Sequence, residues 1–107
     1  MSSKEMNFDL LDSGFVNLGI VPISSLKNNI YIGKFFPNDR FENYKPIFLE
    51  YELLVESQQF SEVDEMELKI ASMRFFVVPK DNGGVAFAVF DLQIMRDSIS
   101  FQMASPD

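Results

Sequence analysis

Sixteen carboxylates, a scatter of hydroxyls and nine lysines and arginines make up the reactive inventory of this 107-residue chain, which contains neither histidine nor cysteine. Thiolate nucleophiles, zinc fingers, imidazole acid–base catalysis and most transition-metal sites are therefore excluded. Paired carboxylates can perform general acid and base work, as in glycosidases, but nothing in their spacing singles out such a pair. Tryptophan is also absent, so sugar stacking would fall to Tyr31, Tyr44, Tyr51 or phenylalanine. Ser24 and Ser25, followed by Leu26 and Lys27, read as a turn and not as a nucleophile motif. Gly83 and Gly84 lack the Lys-Ser/Thr sequel of a phosphate loop and also read as a turn. The expectation is a protein that is not an enzyme and carries no cofactor.

The acids are informative through their position. Between Lys45 and Lys69 there is no base, yet Glu50, Glu52, Glu56, Glu62, Asp64, Glu65 and Glu67 all fall there. Removing those seven from the sixteen leaves nine acids against nine bases, so the formal charge of -7 belongs to this stretch alone. A hard cation held by residues 62–67 is one reading of the cluster, but the glycine and spacing of a calcium-binding loop are missing, and no metal site is expected.

The elements that must position these acids are mostly strand-like. In residues 47–55, Ile47, Leu49, Tyr51, Leu53 and Val55 follow a period of two, with Glu50 and Glu52 on the opposite side. A half-buried strand is expected here, with Glu50, Glu52 and Glu56 on one solvent face and Phe48 and Leu54 between them. A helix starting near Pro46 would leave apolar groups around most of its circumference. Residues 60–73 are ambiguous: Ser61 and Asp64 resemble a helix start, and Val63, Met66, Ile70 and Met73 keep helical spacing, but Met66, Leu68 and Ile70 also alternate. An acidic loop or short helical turn to about Glu65, then a strand running into Phe75, is the preferred reading.

Residues 75–78 and 85–90 are apolar runs flanking Lys80-Asp81-Asn82-Gly83-Gly84, which predicts a hairpin of two central strands covered on both faces. Residues 15–20 and 30–36 are further strands, and Ile99, Phe101 and Met103 alternate with polar residues in a terminal one. A polar triplet, Arg96-Asp97-Ser98, turns the chain into it. The phenylalanine pairs at 35–36 and 75–76 should each send one ring to either side of a strand. The predicted fold is all-β, one domain over residues 1–107, an antiparallel sandwich or barrel of about seven to eight strands with at most one short helix near 60–66. An α+β sheet carrying one helix is the alternative.

The length suffices to bury a core without staples. Residues 1–9 are polar and carry acids where a secretory signal would be basic and then apolar, so a cytoplasmic location is expected. No apolar run approaches the roughly 20 residues of a membrane-spanning helix. Nucleic-acid binding is opposed by the charge, because phosphate contacts need clustered bases.

Two readings of the acidic stretch compete. It is either a solvated face that keeps a phenylalanine-rich chain soluble and guards an edge strand, or an anionic surface for a basic protein partner with Phe48, Leu54 and Phe60 as apolar anchors. On the second reading the chain would block its partner, such as a nuclease toxin. In size and acidity alone it is similar to the immunity proteins that bacteria hold against toxins, a profile that phage-encoded inhibitors share. A small-ligand β-barrel with a cavity among its phenylalanines and methionines, and an interaction subunit that adds an edge strand to an assembly, are the alternatives.

Overall fold

The computed structural model describes residues 6–80 and 84–103. Its seven strands are β1 (Met6–Leu11), β2 (Asn17–Lys27), β3 (Ile30–Lys34), β4 (Phe36–Pro37), β5 (Phe76–Pro79), β6 (Phe87–Met95) and β7 (Ser98–Met103). Two helices, α1 (Lys45–Glu56) and α2 (Phe60–Met73), lie between β4 and β5. The sheet order β1-β5-β6-β7-β3-β2 closes on itself through a β1–β2 pairing, with β4 added on β2. The result is a closed six-stranded antiparallel barrel with one extra strand and a helical pair.

Alternation explains the wall. Phe8 and Leu10 of β1 point inward while Asn7 and Asp9 do not, and antiparallel pairing sets Phe8 opposite Val21. The β2–β3 turn is the pair Asn28-Asn29, both at positive φ, a conformation asparagine tolerates and a tight hairpin requires. Along the other edge of β2, β3 and β4 follow one another and are interrupted at Phe35, which is buried while Phe36 is exposed. The interior is occupied by side chains that include Phe8, Leu10, Val21, Val77, Ile99 and Phe101.

An aromatic chain joins this barrel to the helices. Phe35 meets Phe41 edge-on at 4.9 Å, Phe41 stacks on Phe48 of α1 at 5.7 Å, and Phe48 packs on Phe75 at 5.8 Å. Such contacts add about 0.5–1.5 kcal/mol each beyond the area they bury. A polar tie runs alongside. The Asp12 carboxylate, in the β1–β2 connection, accepts from the backbone N–H groups of Gly14 and Val16 and from the Tyr44 hydroxyl just before α1.

Several expectations are corrected here. Residues 47–55 are not a strand but most of α1, whose inward side is Phe48, Tyr51 and Glu52. Leu49 and Leu53, which completed the apparent alternation, are exposed on the outer side. Pro46 sits in the first turn, where its missing N–H costs nothing. Residues 60–73 are helical throughout, with Val63, Met66 and Ile70 buried at helical spacing. Gln59, not Ser61, precedes the first turn.

The strand count and the barrel agree with expectation, but the helical content exceeds the single short helix predicted. The hairpin of β5 and β6 forms as expected, with Val77 opposite Phe87, although residues 81–83 of its turn lie outside the described residues. Coverage on both faces fails in β6, where Phe90 is exposed. Phe35 and Phe36 part to opposite sides as the alternation requires.

The packing at Gly19 predicts a stability effect. A Cβ there would fall 2.7 Å from the Phe35 ring and 2.8 Å from the Pro37 Cα, so Gly19→Ala should cost about 2 kcal/mol in urea unfolding. Gly14→Ala, whose Cβ would meet nothing closer than 3.5 Å, should stay within about 0.5 kcal/mol.

Asp12 predicts a pH effect. Partial burial works to raise its carboxyl pKa, but the hydrogen bonds from Val16, Tyr44 and Gly14 outweigh it and hold the value below the usual carboxylate range. The stabilisation is therefore present above the unfolded value of about 3.9 and is lost as pH falls through the lower folded value. Asp12→Asn should lose less stability than the native chain between neutral pH and about pH 3, read by urea titration at each pH.

Candidate functional site

All seven acids of the central stretch lie on the two helices, which the 3.6-residue period divides into inward, lateral and outward groups. Glu52 points inward and is 9% exposed. One of its carboxylate oxygens accepts from the Arg96 backbone N–H at 3.1 Å and the other from Arg96 Nε at 3.2 Å. Glu56, one turn on, lies 3.7 Å from the same guanidinium. These two acids therefore clamp α1 to the β6–β7 turn, and Arg96 itself stands at positive φ there.

Glu67 is likewise engaged, accepting a 2.8 Å hydrogen bond from the buried Tyr51 hydroxyl of α1. Burial first, and then the Glu67 carboxylate, push the Tyr51 phenol well above its ordinary pKa. It thus remains a proton donor at all ordinary pH values and ties α1 to α2.

Four acids are left on the outside. Glu50, Glu62, Asp64 and Glu65 are exposed and have no ion-pair partner among the described residues. The apolar anchors expected beside them need correction. Phe48 is 3% exposed and belongs to the aromatic chain, and Leu54 is half-buried against the core. Phe60 is open to solvent at 63%. The exposed apolar residues that sequence reasoning missed are Leu53 of α1 at 64% and Leu68 of α2 at 73%, with Leu49 one turn before Leu53 on α1. A helical wheel for residues 45–56 would have found Leu49 and Leu53 on the outer side.

Near 62–67 no cation site assembles: among the described residues no group of three or more acidic, histidine or cysteine side chains converges. A cleft of about 530 Å³ opens instead between α2 and β6, where the register shifts between Phe90 and Gln93. Ile70, Phe75, Phe76, Val89 and Phe90 form its apolar lining, and Glu67, Arg74 and Asp91 lie among them. Arg74 and Asp91 both hold positive φ, at 62° and 52°. Nothing in the sequence marked this cleft, because it depends on α2 lying across β6. No described helix is long and apolar enough to cross a membrane.

The clamp carries a prediction. Glu52→Ala would leave the part-buried Arg96 N–H without its acceptor and should cost about 1–3 kcal/mol. Glu52→Gln keeps an acceptor and should lose less, both read by urea unfolding at neutral pH.

In comparisons with family models, curated proteins and solved structures, nothing matches this chain.

Proposed function

We propose that this chain is a non-catalytic binding protein whose outward helical face engages a basic protein partner. The observation that carries the reading is the composition of that face. Glu50, Glu62, Asp64 and Glu65 have no ion-pair partner among the described residues, and Leu53, Phe60 and Leu68 are exposed on the same helices. Charges of one sign speed encounter with a basic surface and orient it. Exposed leucine and phenylalanine side chains supply the apolar area that charge alone lacks.

A purely solubilising face would need the carboxylates but not the leucines and phenylalanine, which oppose solubility. Nucleic-acid enzymes are a partner class with the required complementary charge, because their substrate surfaces are basic. Blocking such a surface is the action of an immunity protein against a nuclease toxin, and that is the specific role proposed.

The test is affinity capture from the source cell with the native chain and with a Glu50→Gln, Glu62→Gln, Asp64→Asn, Glu65→Gln variant. All four positions are exposed, so the variant should unfold at a similar temperature. The native chain should retain one basic protein whose affinity falls at least about tenfold as salt is raised several-fold. The variant should fail to retain it. Retention by both chains, insensitive to salt, would contradict the proposal.

A further inference from the structure

The cleft between α2 and β6 is separate from the outward helical face and has a chemistry of its own. At about 530 Å³ it falls within the range of roughly 300–1,000 Å³ typical of small-molecule sites. Its lining is mainly apolar, with the rings of Phe75, Phe76 and Phe90 prominent. Phe15 packs on Phe76 with ring centroids 5.1 Å apart and extends the aromatic surface.

The polar groups of the cleft are unbalanced. Glu67 and Asp91 both line the cleft, Glu67 from α2 and Asp91 from β6. Tyr51 occupies one Glu67 oxygen, and among the described residues neither the other oxygen nor the Asp91 carboxylate has a hydrogen-bond or ion-pair partner. Arg74, the one cationic side chain in the lining, makes no ion pair with either of them. Two carboxylates against one guanidinium leave the site net negative.

We propose that this cleft binds an organic cation: an amine with an aromatic or aliphatic body, its ammonium group between Glu67 and Asp91 and its body against Phe75, Phe76 and Phe90. Charge-assisted hydrogen bonds to both carboxylates fix the head. Phenylalanine faces attract the cation and cover the apolar body.

The absence of tryptophan leaves only the weak, shorter-wavelength emission of three tyrosines as protein background to naphthalene, and naphthylethylamine and naphthylacetate form a matched pair of probes with opposite head charges. Fluorescence polarisation should show the amine binding and the carboxylate binding much more weakly. Glu67→Gln, which keeps an acceptor for Tyr51, and Asp91→Asn, which tolerates the positive φ, should each weaken the amine at least about tenfold. Ala71→Phe, which fills the cleft, should abolish its binding.

Preference for naphthylacetate would overturn the proposal by making Arg74 the anchor. Failure of the native chain to bind the amine would also overturn it, as would amine affinity unchanged in the folded Asp91→Asn chain. Because that position is exposed, the Asp91 test stands even if Glu67→Gln disturbs folding. The four outward acids are not part of the cleft lining, so their variant should bind the amine normally whatever becomes of the protein partner.

Discussion

A carboxylate that leaves water must find donors, and in this protein that constraint decides where α1 lies. Glu52 obtains its donors from the backbone and side chain of Arg96 at the β6–β7 turn. The pair adds little net stability once desolvation is counted, but separating the partners is costly. Its consequence is positional: with Glu52 held at the turn, the helical period sends Phe48 and Tyr51 into the core and Leu49, Glu50 and Leu53 outward. The aromatic chain from Phe35 to Phe75 reinforces the same placement from the neighbouring side.

The acidic stretch thereby becomes three structures instead of one face. Glu52 and Glu56 belong to the clamp, Glu67 to the contact between helices through Tyr51, and Glu50, Glu62, Asp64 and Glu65 to solvent. Of these acids, only that last group and Glu67, whose partner Tyr51 is neutral, keep negative charge without an ion pair among the described residues. The outward face is smaller in charge than residues 46–68 suggest and richer in apolar surface, which is the combination expected of a docking surface more than of a solubilising one.

Much of the barrel was legible because strands announce themselves locally. Asn28-Asn29 marks a turn, and Ile99, Phe101 and Met103 alternate with polar residues, whereas β1 escaped this reading, because Leu11 follows Leu10 and breaks the alternation begun by Phe8. Closure was not legible, because the β1–β5 and β3–β7 pairings join residues far apart in sequence. In residues 47–55 the alternation misled for a definite reason. Period two and period 3.6 agree at Ile47, Tyr51 and Val55, and the discriminating positions are Glu52, an acid turned inward, and Leu53, an apolar residue turned outward. A buried glutamate reads as solvent-facing until its distant partner Arg96 is known. The candidate site inherited that error: the acids were found, but Phe48 was mistaken for an anchor, Leu53 was assigned to the core and the α2–β6 cleft was missed.

Hydrogen exchange at the Arg96 backbone amide tests the central claim most directly, since that N–H is held by Glu52 across 44 residues of sequence. If the clamp fixes the helical pair on the barrel, this amide exchanges only through opening that detaches α1, with a free energy near that of global unfolding. Exchange as fast as that of an open surface turn, with the rest of β6 and β7 protected, would show that Glu52 does not hold the turn and would contradict the account.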